Sequence, residues 1–597
     1  MPEGHQLPRP TRSRVERNRN TILMHLSHED GRGWLALAVH RPSRRWAVGT
    51  GRRPMMSITT GGPLRPRRLL APLGLVLALA ALGPLVANAR TLHTVLQDDD
   101  LSLFSAQRLP QSMKELRWLG VDELRISAEW KLEAPAPNSS RVPRGFRPDA
   151  PSSYTSAGMR ILDAAVRAAA GAGLHVVIDP AFSAPLWATT DTAAATGARD
   201  PWYNTNIDVR QAAAWEQMLA RRYSGAFTPP GEGTSLPRVE TFTLWNEPNE
   251  HSFLGPQWRN GIPVSADWYR KLVSVAYPAI EAASPSATVL IGNTSDSGVD
   301  AQAGPAGVAP LTFIRRLACV NTQLEPVHDG SCAHFQTVPA DGYAHHPYER
   351  NASPWMPSGP QQADWSQMGD VPRLQGLLDE LVAKHRLAPG AQSLWLTEQG
   401  YGSNGELTDM RWTEAQQAQL NAVSEYLAWH DGQVASFSQF LLADTLTNET
   451  LALRVRTGNP HARLPGAWTT GLLRESFTPK PALWMFRSPV VARVVDVPAA
   501  LFAAGMATTL AGAPSRLLDV WGHARPTRSP TLVEVQVSSD GRAGFQPAAG
   551  TATDANGIFE LSLAMPSSPQ AEVRFRWLAA DGSWQTSPPT RLIYMGG

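Results

Sequence analysis

Cysteine is nearly absent: Cys319 and Cys332 are the only two in 597 residues. So few exclude a small disulfide-framed scaffold. With no histidine at ligand spacing they make no zinc site either. Charged residues are sparse at 18%, and the positive excess is not shared by the body of the chain. Residues 1–68 hold fourteen Arg, no Lys and four acids, a balance of +10 against +2 for the whole, which leaves the remainder at −8. A mildly acidic body lacks the basic face that nucleic-acid binding draws on. No glycine-rich phosphate loop follows the first expected strand, so a dinucleotide-binding sheet lacks its fingerprint. No long repeat or low-complexity tract occurs.

One uncharged apolar run spans residues 69–86, preceded by Arg65-Pro66-Arg67-Arg68 and followed by Ala87-Asn88-Ala89. A basic stretch, an apolar stretch and a small-x-small end make a secretory signal cleaved after Ala89. The alternative is an uncleaved membrane anchor, against which Pro72 and Pro84 argue. Signal peptides begin close to their basic stretch, so Met55 or Met56 is a better start than Met1. Residues 1–54 are therefore read as an extension outside the fold, and 55–89 as the signal of a secreted or cell-surface protein with no stable membrane association after cleavage. In an exported chain Cys319 and Cys332 read as a disulfide closing a surface loop, the alternative being two unrelated thiols.

From residue 90 onward, short apolar runs alternate with amphipathic helical patterns. Strands are expected at 91–96, 123–127, 174–179, 239–245, 288–292, 342–346, 393–397 and 435–442. Helices are expected at 112–119, 156–172, 209–223, 266–283, 311–320, 371–386, 414–430 and 481–487, with Gly173 as one C-terminal stop. Strict alternation predicts a parallel sheet with right-handed crossovers. Eight units predict an α/β fold closed as a (β/α)8 TIM barrel over 90–497, an open doubly wound sheet being second. Beyond about residue 498 helical periodicity stops. Alternating runs at 517–521, 531–537, 557–563 and 571–577, separated by turns such as Ser539-Asp540-Gly541, predict a β-sandwich domain over 498–597.

Two acids stand where burial is costly. Glu247 follows the apolar run that starts at Val239, within Trp245-Asn246-Glu247-Pro248-Asn249. Glu398 ends Leu394-Trp395-Leu396-Thr397, 151 residues later. Glycoside cleavage needs such a pair, one to protonate the leaving oxygen and one to attack carbon or activate water. Asn246-Glu247-Pro248 on the fourth strand with Thr397-Glu398 on the seventh resembles clan A of the glycoside hydrolases, the retaining β/α barrels that include the cellulase-like family five and the β-xylosidase-like family thirty-nine. The resemblance covers about residues 90–490.

It implies that Glu247 is the acid/base and Glu398 the nucleophile. It further implies that Asn246 bonds the sugar 2-hydroxyl, that Arg125 keeps the nucleophile ionised, and that a histidine and Tyr348 line the cleavage subsite. Adjacent strand residues point to opposite faces, so only one of His345 and His346 can look inward; His346 is chosen. Trp187, Trp245 and Trp468 are candidates for stacking on sugar. The clan's tryptophan at the end of strand eight is missing, and Trp468 is expected to replace it from the following loop. No metal and no organic cofactor is implied, and the partner is an oligo- or polysaccharide. A non-catalytic glycan-binding surface protein on the same barrel is the rival reading. Transglycosylation by the same residues is a third.

Overall fold

The computed structural model describes residues 91–99, 105–181, 184–190, 204–301, 306–349, 353–403, 412–445, 468–496 and 516–594. The expected extension and signal, residues 1–54 and 55–89, lie outside these. Eight parallel strands close on themselves in chain order: β1 (His93–Gln97), β2 (Glu123–Glu129), β3 (His175–Ala181), β4 (Thr241–Thr243), β5 (Thr288–Thr294), β6 (Gly342–His345), β7 (Leu394–Leu396) and β8 (Val434–Phe440). Closure runs through β1 and β8, with Val95 opposite Ser438 and Gln97 opposite Phe440.

The strands are buried on both faces, as a barrel sheathed in helices requires. Leu124, Ile126 and Ala128 of β2 pack outward into the main apolar core, while Arg125 between them reaches groups on other strands across the barrel. A separate small cluster of Leu290, Ala344 and Trp395 fills part of the interior.

The surrounding helices are α1 (Leu109–Leu119), α2 (Trp130–Glu133), α3 (Ala157–Gly171), α4 (Val209–Arg222), α5 (Val264–Ala283), α6 (Pro310–Leu317), α7 (Val371–Ala383), α8 (Glu414–His430) and α9 (Pro481–Arg487). Several start on side-chain caps that satisfy otherwise orphaned amides. Ser156 accepts from the Met159 amide, Asp208 from those of Arg210 and Gln211, and Thr413 with Gln416 forms a capping box. Gly173 takes the left-handed conformation just past α3, where a side chain would be strained. Among the described residues no helix is long and apolar enough to cross a membrane. Cys319 and Cys332 are bonded to each other just after α6.

The fourth strand is shorter than its apolar run suggests. It ends at Thr243, because Trp245 and Glu247 take left-handed backbone angles, φ 60 and 39. The second domain also starts earlier than the expected boundary at residue 498. Its first strand is β9 (Val490–Asp496), followed by β10 (Arg516–His523), β11 (Leu532–Ser538), β12 (Gln546–Ala552), β13 (Ile558–Ala564), β14 (Glu572–Leu578), β15 (Trp584–Thr586) and β16 (Thr590–Ile593). Periodicity missed β12 because its residues, Gln-Pro-Ala-Ala-Gly-Thr-Ala, carry no large apolar side chain and are mostly exposed.

The halves β13-β10-β9 and β12-β11-β14 are joined through β16, which pairs with both β14 and β9. They form a β-sandwich whose interior holds Phe559 of β13 against Phe575 of β14, ring centroids 4.9 Å apart. A Cβ at Gly522 would collide with both rings.

The sandwich is fastened to the barrel by buried polar groups. Arg525 bonds Glu425 of α8 at 2.5 Å and Thr94 of β1 at 3.2 Å, and it also donates to the Phe486 carbonyl of α9. His523 meets the same Glu425 oxygen at 2.8 Å. Arg528 pairs with Asp122, and Trp521 packs on Tyr426 and Trp429. Thr94 and Asp122 stand at the N-terminal ends of β1 and β2, the end of a barrel where stability rather than chemistry resides.

Candidate active site

The C-terminal ends of the strands bring six of the expected side chains together. Glu398, two residues past β7, is held from two sides. Arg125 of β2 donates to its Oε1 at 2.5 Å, and the Tyr348 hydroxyl, beyond β6, donates to Oε2 at 3.0 Å. His346 Nδ1 lies 2.8 Å from Glu247 Oε1 and 3.6 Å from Glu398 Oε2. One oxygen of each carboxylate and that ring nitrogen all fall within 4.8 Å of one another. Asn246 turns its Oδ1 to Arg125 at 3.1 Å.

Strand alternation separates the two histidines as the pleat requires. His346 faces Glu247. His345 is buried behind the wall, its ring nitrogens on Thr294 Oγ1 and the Ser366 carbonyl.

Among the described residues Glu247, His346 and Glu398 are also the His and acid group compact enough to share a cation. Their facing atoms are already engaged with one another, with Arg125 and with Tyr348, so the group is read as a hydrogen-bond network.

Sequence reading missed Asp179, Asn293, Gln97 and Thr397. Asp179, near the end of β3, is fully buried, ion-pairs with Arg125 at 2.9 Å, and accepts from Thr243. Asn293, near the end of β5, accepts from His346 Nε2 at 2.9 Å and from Thr397 at 3.0 Å. Gln97 accepts from Arg125. The signal was present: each is a polar residue at or near the C-terminal end of a buried strand, the criterion that had found the glutamates.

Electrostatics set the state of Glu398. Burial by itself pushes the Glu398 carboxyl up; the pull of His346, then the charge of Arg125 and the hydrogen bonds from Arg125 and Tyr348, bring it below the ordinary carboxylate value. Burial in turn lowers the His346 ring to about 4, against the opposing pull of Glu398. Arg125 feels burial as a lowering influence and overcomes it through the charges of Asp179, Glu398 and Asp99. Asp99, just past β1, is pushed up to about 6 by burial despite hydrogen bonds from Ser127 and Gln97.

The aromatic assignments separate as well. Trp468 packs its ring 5.9 Å from Tyr348 and 5.4 Å from Phe440, so it borders the Glu398 side of the site. Trp187 and Trp245 do not stack there. Trp187 is buried against Trp130 and Phe146 and bonds the Pro135 carbonyl. Trp245 is fully buried on Trp268, because the left-handed turn at this residue aims its ring into the core.

No protein-family model matches the chain, and no curated protein does. Solved structures do resemble it. A family 39 glycoside hydrolase from the gut symbiont Bacteroides cellulosilyticus WH2 shares 16% identity over 81% of this chain and 80% of its own, with a TM-score of 0.43. A GH5_18 protein from Streptomyces cattleya, solved with GlcNAc, shares 15% over 67% of this chain and 79% of its own, with a TM-score of 0.39. A β-glucuronidase from Parabacteroides merdae shares 12% over 85% of this chain, which spans 48% of that longer protein, with a TM-score of 0.38. Two of these neighbours are thus named as glycoside hydrolases, of family 39 and of GH5_18.

Proposed function

We propose that this chain is a retaining glycoside hydrolase acting on an oligo- or polysaccharide. The observation that carries the reading is the approach of two carboxylates to within 4.8 Å at the C-terminal mouth of the barrel, in unlike environments. Retaining pairs stand about 5–5.5 Å apart, whereas inverting pairs need about 6.5–9.5 Å to seat a water between them. The spacing here favours the former.

In this mechanism Glu398, kept ionised by Arg125, attacks the anomeric carbon as Glu247 gives its proton to the departing oxygen. The bond from carbon to the leaving oxygen breaks and a bond to the Glu398 oxygen forms. Glu247 then takes a proton from water, whose oxygen displaces Glu398 and frees the sugar. Asn246 commits its Oδ1 to Arg125, so its amide nitrogen is the group to meet a sugar hydroxyl. Trp468, with Tyr348 and Phe440, forms the aromatic wall against which a ring would rest. The basic and apolar segments before residue 90 support export, with cleavage after Ala89.

The test is a panel of 4-nitrophenyl glycosides and plant and microbial polysaccharides, with the anomer first released read by proton NMR. Release with net retention is expected. Glycan binding without release from any substrate would instead favour the non-catalytic surface protein, and first release of the opposite anomer would exclude the double displacement. Export is checked by N-terminal sequencing of protein from the medium, expected to begin at Arg90.

A further inference from the structure

Behind Glu247 lies a chain of hydrogen bonds whose direction can be worked out from its far end. Asn293 is fully buried and held in a left-handed conformation, φ 51, a strained state for a residue other than glycine. Its Nδ2 lies 2.9 Å from Asp179 Oδ1, 2.8 Å from the Trp245 carbonyl and 3.3 Å from Asn246 Oδ1. All three are acceptors, and Asn246 Oδ1 is independently fixed as one by its bond from Arg125. The amide of Asn293 can therefore point only one way, with Oδ1 toward His346 and Thr397.

An oxygen at 2.9 Å from His346 Nε2 requires a hydrogen on that nitrogen. In the neutral ring Nδ1 then carries a lone pair. The 2.8 Å contact between Nδ1 and Glu247 Oε1 must be bridged by a proton, and the carboxyl is the group left to supply it. A doubly protonated ring would reverse this, but His346 is fully buried, and burial keeps it neutral down to about 4. The charged and titratable groups facing it are Glu247, Glu398, Arg125, Asp179, Asp296 and His345.

We infer that Asn293, clamped by Asp179, is a positioning residue that fixes the Nε2–H tautomer of His346 and thereby stores the catalytic proton on Glu247. The inference rests on reading Glu247 as the acid/base. When Glu247 gives its proton to the glycosidic oxygen, the resulting carboxylate faces a lone pair instead of an N–H. It is left a stronger base for the water of the second step, which returns the proton to the same oxygen. Had the ring been free to present Nδ1–H, it would have stabilised the carboxylate and weakened both steps.

The tautomer is measured directly in wild-type protein labelled with 15N-histidine. Long-range 1H–15N correlations, assigned by the signals lost in His346→Gln, should give the neutral Nε2–H pattern between pH 6 and 8. An Nδ1–H or imidazolium pattern would overturn the inference. That readout needs no substrate, so it stands apart from the question of activity. Kinetics test the consequence, using phenyl and 2,4-dinitrophenyl glycosides of the sugar preferred in the nitrophenyl panel.

Asn293→Ser, whose hydroxyl can donate as well as accept, frees the tautomer. Because general acid catalysis contributes about 10²–10⁴-fold, kcat/KM for the phenyl glycoside should fall at least about tenfold more than for the dinitrophenyl glycoside. The alkaline limb of its pH profile should move to lower pH. Equal losses on both substrates, with no movement of the alkaline limb, would mean a merely structural role and would refute the inference. If wild type cleaves neither glycoside, the acid/base reading fails while the tautomer spectrum still decides the ring's state.

Discussion

Arg125 is the side chain on which the ionisation of the site turns, and its removal makes the sharpest prediction. It is fully buried and touches Glu398 at 2.5 Å, Asp179 at 2.9 Å and Asn246 at 3.1 Å, and it bonds Gln97 as well. Arg125→Met replaces the guanidinium with an apolar chain of similar reach. An opposite charge this close lowers a carboxyl by about 1–3 units. In the proposed mechanism Glu398 attacks only when ionised, so activity should be lost as pH falls through its folded value. With that value released upward, the acid limb of kcat/KM should move to higher pH by about 1–3 units. Two buried carboxylates also lose their counter-charge, and breaking a buried pair costs about 3–5 kcal/mol.

Arg125→Lys should be intermediate in the pH shift and still damaging. One ammonium cannot span four partners that a planar fork reaches together. The assays are a pH profile on an activated aryl glycoside and a thermal melt with and without the substitution. An acid limb that stays in place while the protein folds normally would show that Arg125 does not govern Glu398.

The nucleophile can be exposed chemically: Glu398→Gly should be inactive by at least several orders of magnitude and regain turnover with azide, giving a glycosyl azide of inverted configuration. Recovery of a retained azide, or none, would move the nucleophile elsewhere. Trp468→Ala should raise KM with a smaller effect on kcat, since it removes an aromatic face and no reacting group; an unchanged KM would remove Trp468 from the subsite. Arg525→Ala should destabilise the protein by about 3–5 kcal/mol in denaturant melts, because Glu425 is left buried without its cation. Burial pushes Glu425 up, but Arg525 and His523 hold it below the ordinary carboxylate value. Its contribution is thus complete above the unfolded carboxylate range and is lost as pH falls through the lowered folded value, so the stability gap between Arg525→Ala and wild type should narrow in acid. A gap constant with pH would contradict the pairing.

The barrel was legible in the sequence because its elements announce themselves locally. Apolar runs such as 288–292 and 393–397 alternate with helical patterns such as 414–430, and the observed helix Glu414–His430 shares both of those ends. Alternation around the end of β6 allowed only one of His345 and His346 to face inward, and the structure shows that it is His346. Glu247 and Glu398 could be picked out because an acid at the end of a buried run is costly wherever it occurs. What periodicity could not supply was everything that depends on contacts between strands distant in the chain. Asp179 and Asn293 carry the strand-end signal in the sequence, but which groups they bond is decided only when closure sets β3 beside β4 and β4 beside β5. Trp245 stands two residues from Glu247, and only the left-handed backbone between them sends one ring to the core and one carboxylate to the mouth. Strands β9, β12, β15 and β16 were also missed: β9 fell within the span given to the preceding domain, β12 is poor in apolar side chains, and β15 and β16 are only three and four residues long. Sequence alone therefore determined which residues must be hidden and which chemistry was affordable at strand ends. The tertiary structure decided which polar groups meet, since the hydrogen bonds around Asn293 of β5 join Asp179 of β3 to the turn after β4 and to the segments that follow β6 and β7.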